Sequence, residues 1–202
     1  MKLFWSSRSP FARKVVAVAH ELGIADRIAL ERVIVSGTQP NESVMAYNPL
    51  SQIPTLVLDD GSALFDSAVI VAFLDLHHGP NVLLPGDPRQ HFAVLRHQAL
   101  GDGIMENSVR RLAERARGPL GSPQHAAANW FKISRTLDRL ETEAASLEPA
   151  TAGSIAIACG IAHLDFRHAA DDWRGGRPAL AAWFARFSTR PSMRATEYRD
   201  EH

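Results

Sequence analysis

Cysteine is nearly absent: Cys159 is the single one among 202 residues. No disulfide can form within the chain, and neither a CxxC redox motif nor a thiolate zinc site exists. An excess of one charge is missing too. Lys+Arg and Asp+Glu number 22 each, for a formal net charge of zero. A protein that grips nucleic acid by neutralising phosphates carries a basic surplus, so nucleic acid is not an expected partner. Long apolar runs are lacking. The longest, Ala68–Leu74 and Ile155–Cys159, fall far short of the ~20 residues that cross a bilayer. The opening Leu3-Phe4-Trp5 is too short for the core of a signal peptide. The nine histidines form no HxH or HExxH pattern, so no metal site is expected. These absences together describe a soluble, reduced, cytoplasmic protein with no membrane partner.

What is present is an ordinary globular composition, 46% hydrophobic and 22% charged, in a chain long enough for one or two domains. Lys2–Trp5 reads as a strand. After Pro10, the residues Ala12, Val15, Val16, Ala19 and Leu22 recur at helical spacing, and Gly23 ends that helix. Ile28–Val35 reads as a second strand. Thr55–Leu58 and Ala63–Phe65 flank Asp59-Asp60-Gly61-Ser62, a hairpin signal. Ser67 is then expected to cap a helix carrying Val69, Ile70, Phe73 and Leu74 on one face. Gly79–Pro88, with three prolines and two glycines, allows no periodic structure and reads as a linker. Beyond it strand signals stop. Helices are expected from Asp87-Pro88 to about Arg117, from about Ser122 to Leu147, from Ser154 to about Trp173 and from Pro178 to about Thr189. The expectation is an α/β domain over residues 1–79, a linker over 80–87 and an all-helical bundle over 88–202.

Several strings carry a resemblance. Ser9–Val15 (SPFARKV), Asn48–Leu56 (NPLSQIPTL), Asp66-Ser67 and Arg190–Met193 (RPSM) resemble the cytosolic glutathione S-transferase superfamily. Ala99–Met105 and Ser154–Arg167 resemble a bacterial, YibF-like subgroup of it. The resemblance covers nearly the whole chain and rests on the order and spacing of these motifs. It implies an N-terminal thioredoxin-like domain with a C-terminal helical bundle. It also implies glutathione as co-substrate, a small hydrophobic electrophile as second substrate, conjugation of the two as a detoxifying reaction, and a homodimer.

Each site residue also has a plain structural reading. Taken alone, Pro54 is a trans proline opening a strand. The resemblance makes Ile53-Pro54 cis, with the Ile53 backbone pairing with the cysteinyl part of glutathione as an added strand would and the Ile53 side chain incidental. Gln52 would lie near the glycine end of the tripeptide, with Ser36–Thr38 as the other wall. Asp66-Ser67 is a helix cap. A helix N-terminus also suits a carboxylate, so Ser67 would hold the γ-glutamyl carboxylate and Asp66 its ammonium.

The reactive position must stabilise a thiolate. A free thiol has a pKa of about 8.5, and lowering it by two units takes ~2.7 kcal/mol of preferential stabilisation. Ser9, just before Pro10 and the first helix, is placed to donate a hydroxyl hydrogen bond to the thiolate. Its plain reading is an N-cap followed by proline. Ser6 and Ser7 compete with it for the role. Neither Tyr47 nor Tyr198 lies in this segment, and no cysteine does, which argues against the branches that use a cysteine nucleophile. Phe11 is a candidate for the electrophile pocket or a core aromatic. Arg13 supports an anionic ligand, pairs with an acid of the second domain or sits in solvent. The first long helix of the bundle, facing the α/β domain, would supply the rest of the electrophile pocket through Asp102 and Met105, which share a face with Glu106. Ser154 is expected to cap its helix without a reciprocal partner, because Ile157 stands where the capping box needs a polar side chain. Cys159 reads as a buried apolar filler. The alternatives to conjugation are a non-catalytic binding or regulatory relative, and a glutathione-dependent peroxidase or isomerase.

Overall fold

The first strand, β1 (Lys2–Trp5), is short, with its two central residues buried and its ends half-buried. Leu3 and Phe4 are both inside but on opposite faces of the sheet. The structure, a computed structural model, describes residues 1–79 and 81–200. Pro80, at the head of the expected linker, and residues 201 and 202 lie outside the described residues. β1 is followed by α1 (Pro10–Glu21), β2 (Ala29–Arg32), the single turn α2 (Glu42–Met45), β3 (Thr55–Val57), β4 (Ala63–Leu64) and α3 (Ser67–His78). The sheet order is β2-β1-β3-β4, with β1 parallel to β2 and the other pairs antiparallel.

Local chemistry explains these elements. Ser9 caps α1 and Pro10 opens it; Gly23, at φ +67°, follows its end in the left-handed region that glycine enters without penalty. Gly61, at φ +86°, does the same for the hairpin between β3 and β4. Leu3 and Leu56 face each other across the β1–β3 ladder and are fully buried. Phe4 and Val57 point to the other face and pack with Val33 and Val44, joined by Val35 and Ile53. β2 is an edge strand and mostly exposed. Its ladder covers Ala29–Arg32 rather than the expected 28–35, although Ile28 and Val33 on either side are buried.

α3 departs from the sequence reading. Its cap is Asp66, whose carboxylate accepts from Ala68 N–H at 2.9 Å, and Ser67 is its first residue. Its inward stripe is Ser67, Ile70, Val71, Leu74 and Asp75. Val69 is 47% exposed and Phe73 half-buried. The two polar members of the stripe hid its true phase from a reading of apolar residues alone. Asp75 is buried and its carboxylate accepts from Leu83 N–H at 2.9 Å and Leu84 N–H at 2.8 Å. Those bonds bind the middle of the expected linker to α3.

The helical elements are α4 (Pro88–Ala116), α5 (Pro123–Glu143), α6 (Ala152–Arg167), α7 (Pro178–Phe187) and α8 (Pro191–Ala195). Asp87 and Ser122 cap α4 and α5, each followed by proline. α6 is the central element of its unit, buried without interruption from Ala152 to Ile161. It meets α4 at glycines. A Cβ on Gly101 would lie 2.4 Å from the Ala156 carbonyl carbon. α6 also ends earlier than expected, so Trp173 lies beyond it, buried and donating to Asp165 at 2.7 Å. Its N-terminus corrects the reading of Ser154. Thr151 is the cap, and Ser154, at the third helical position, returns a bond to Thr151 N–H at 2.8 Å, completing a capping box.

The described chain divides into two units: Met1–Leu84 with the segment from Pro191 onward, and Pro85–Arg190. The first unit therefore takes in α8 and the tail, where the sequence pattern predicts them in the helical bundle. The reason is Arg13. It is buried, and its guanidinium donates to the Met193 carbonyl at 3.0 Å and to Thr196 Oγ1 at 3.3 Å.

Candidate active site

Strand direction decides where the candidate residues meet. Phe4 lies opposite Thr55 and Leu56 opposite Leu64, with antiparallel pairing in both cases. β1 and β4 thus run the same way. The loop after β1, the turn before β3 and the segment after β4 all leave the sheet at one end. Ser9, Gln52–Pro54 and Asp66–Ser67 sit in those three connections. β2 runs parallel to β1, so the stretch bearing Ser36 and Thr38 leaves there as well. α1 and α3 begin at this end, and their first turns bring N–H groups without intrahelical partners and the positive ends of their dipoles.

The three serines differ in what their hydroxyls already do. Ser9 Oγ accepts from Ala12 N–H at 3.2 Å, which leaves its own proton to give. Ser6 Oγ accepts from Arg8 N–H at 3.3 Å. Ser7 Oγ donates to the Arg199 carbonyl at 3.1 Å, so its proton is engaged. Of the three, Ser9 stands at the head of α1.

The turn before β3 is built around Asn48, a residue the sequence reading passed over. It is almost completely buried. Its amide donates to the Gln52 carbonyl at 3.1 Å and to Thr55 Oγ1 at 2.9 Å, and its oxygen accepts from Leu50 N–H at 3.0 Å. The last bond is an Asx turn, so an Asn two residues before the turn was the legible signal. The Ile53–Pro54 peptide is cis, as the resemblance implied, and the Phe65–Asp66 peptide is cis as well. Pro54 is buried and Gln52 exposed. The Ile53 side chain packs against the cluster of Phe4, Val33, Val44 and Val57. Asp66 is exposed beyond its cap bond, while Ser67 is 2% exposed.

The remaining candidates are placed differently. Phe11 is half-buried on the first turn of α1. Arg13 is buried within the first unit; besides the bonds above, its guanidinium lies 4.4 Å from the centroid of the Tyr198 ring. In the helical unit, Asp102 is half-buried, Glu106 is exposed and ion-paired to Arg110, and Met105 is completely buried. Met105 is thus a core residue there, and the three do not form one open face. Two carboxylates of the helical unit are shifted. Arg96 and His97 hold Glu143 down to about 2 against the effect of its burial, helped by Arg139. Arg111 holds Asp171 below the usual carboxylate range. Among the described residues, no three His, Cys, Asp or Glu side chains gather as metal ligands would, and no helix is long and apolar enough to cross a membrane.

A family model described as "Glutathione S-transferase, N-terminal domain" matches residues 8–77, a stretch that spans all three connections from Ser9 to Ser67. Over 202 residues the chain is 32% identical to the GST-like protein YibF of Escherichia coli K12, covering 98% of each. The chain belongs to the glutathione S-transferase superfamily. Within it, the chain groups with the YibF-like bacterial members. Its architecture, a thioredoxin-like domain followed by a helical region, matches solved members of the family. One, from Pseudomonas fluorescens Pf-5 and crystallised with bound glutathione, is 40% identical over 98% of both chains, with a TM-score of 0.95. A second structure of a member from that organism, with bound S-(propanoic acid)-glutathione, is 38% identical over 98% of this chain and all of that one, with a TM-score of 0.87. A third, from Methylobacillus flagellatus KT with glutathione bound, is 33% identical over 98% and 99% of the two chains, with a TM-score of 0.86.

Proposed function

We propose that this chain is a glutathione transferase that binds glutathione at the end of its sheet and conjugates it to a hydrophobic electrophile. The observation that carries this reading is the convergence at one end of the sheet of Ile53-Pro54, before β3, with Ser9 and Asp66-Ser67, at the heads of two helices. The division of labour follows from the chemistry of each group. The Ile53 backbone pairs with the cysteinyl unit as an added strand, which its core-packed side chain holds in place. Ser67 and the first turn of α3 take the γ-glutamyl carboxylate, and Asp66 takes the ammonium. Gln52, exposed beside them, meets the glycine end. Ser9 accepts from Ala12 N–H and donates its own proton to the sulfur, so it favours the thiolate without losing a proton. The thiol proton leaves to solvent. The thiolate then forms a carbon–sulfur bond to the electrophile as its leaving group departs or its double bond takes up the electron pair.

A relative solved with a glutathione S-conjugate supports conjugation over a peroxidase or isomerase reaction. The exposed Val69 and Leu76 of α3 support a homodimer, and the need for reduced glutathione supports a cytoplasmic location. The reading also makes the α/β domain the glutathione-binding one and assigns the electrophile to a site completed by Phe11.

Calorimetry with glutathione tests it. Wild type should bind, and Ser67→Ala should weaken binding. Ser9→Ala should still bind, but with a thiol pKa raised by about 1–2 units, the worth of one hydrogen bond to a charged group. No binding by wild type at millimolar glutathione would sink the reading and leave a partner-binding relative.

A further inference from the structure

The carboxy-terminal segment runs antiparallel to α1 and ends on the loop that carries Ser9. At the far end of α1, Ser192 Oγ bonds to the Glu21 carboxylate. Midway, Arg13 donates to Met193 and Thr196 and lies against the Tyr198 ring. At the near end, Ser7 and Arg199 are joined twice. Ser7 Oγ donates to the Arg199 carbonyl at 3.1 Å, and Arg199 N–H donates to the Ser7 carbonyl at 3.4 Å. Beside them Arg8 Nε pairs with Asp200 at 3.1 Å. The loop has its own bonds, Ser9 N–H to the Ser6 carbonyl at 3.1 Å and Arg8 N–H to Ser6 Oγ at 3.3 Å. These close Ser6–Ser9 into a turn, and the tail grips that turn from outside.

We propose that the tail from Tyr198 to Asp200 is a positioning element of the thiolate site, and that Ser7 is its point of attachment. The inference rests on the reading of Ser9 given above. The direction of a hydroxyl decides whether its hydrogen bond is made. A loop held at two adjacent backbone and side-chain atoms holds the Ser9 Oγ–H direction more closely than a loop tied only at its ends. Ser7 touches no reacting atom in this scheme. It acts through the backbone two residues before Ser9. The partners of the γ-glutamyl and cysteinyl groups lie in the other two connections, so loosening the tail separates binding from thiolate stabilisation.

The test uses the chain ended after Glu197, which keeps the Met193 and Thr196 bonds to Arg13, alongside Ser7→Ala and Ser7→Thr. Two quantities are read in each: glutathione affinity by calorimetry, and the pKa of the bound thiol from the ultraviolet absorbance of the thiolate. Truncation and Ser7→Ala should leave affinity within about threefold of wild type. They should lower the bound thiolate-to-thiol ratio at neutral pH about tenfold, one pKa unit, and lower kcat with an activated aryl chloride while KM for glutathione changes little. Ser7→Thr, which keeps the hydroxyl, should restore the wild-type pKa. If wild type binds glutathione as a thiolate and truncation moves neither pKa nor kcat, the tail has no part in the site, while the transferase reading stands. If wild type binds no glutathione, both fall together.

Discussion

Asn48 sets the shape of a turn with one side chain. Its amide spends both ends on backbone and side-chain partners in the loop before Pro54 and at the start of β3, and water cannot replace them at 1% exposure. Asn48→Ala should therefore cost about 2 kcal/mol of stability, the penalty for stranding buried polar groups. Urea unfolding measures it, and a loss below about 0.5 kcal/mol would mean that the turn holds itself. At this scale the sequence was only partly legible. Ser9 as a helix cap before proline was open to view, because capping is local chemistry. The engagement of Ser7 by Arg199, and of Arg13 by Met193, were not, because partners 192 and 180 residues apart leave no trace in spacing. Asp66 and Ser67 were read one position out of phase, since Ser and Asp cap equally well and only geometry chooses between them.

Elements were legible to the extent that their signals were local. Pro after Asp, Ser or Ser marked the starts of α4, α5 and α1, and the hairpin was marked by Asp-Gly. α6 shows the limit. It is so deeply buried that no amphipathic face announces its phase, and its cap was read three residues late. Thr151→Ala should cost about 1 kcal/mol through loss of the capping box, and a thermal-unfolding midpoint equal to wild type would count against that box. The packing of α6 on α4 yields a harsher expectation. Gly101→Ala would set a methyl 2.4 Å from the Ala156 carbonyl carbon and 2.5 Å from the Ile157 nitrogen. Backbone atoms cannot swing aside, so the helices must part. A destabilisation of about 3 kcal/mol, at the top of the overpacking range, is expected in denaturant unfolding. Tolerance of Ala at this position would show that the helices have slack.

For the whole molecule, acid is the informative perturbation. Glu143 has its pKa lowered to about 2, so its contribution is whole above its ordinary 4.5 and is lost as pH falls toward 2. Burial lowers the pKa of His168, with the Arg111 and Arg115 charges adding to it against Asp171 and the Ser108 carbonyl. The unfolded chain takes up that proton first, so stability falls below about pH 6.5. Both signs agree. Urea midpoints should decline steadily below that pH, and Glu143→Gln should flatten the slope between 4.5 and 2. A stability independent of pH over that range would contradict both assignments. The two-part organisation of the chain was legible from the proline-rich break and the end of strand signals. The membership of the last segment in the first unit was not.

That membership bears on the order of synthesis. Arg13 leaves the ribosome early, but its acceptor at Met193 is 180 residues behind it. At translation rates of roughly 5–20 residues per second, the gap is on the order of 10–40 seconds. Through that interval the first unit lacks its closing strap, while the continuous stretch from Pro85 to Arg190 is complete as soon as it emerges. The part of the chain made first is therefore the part finished last.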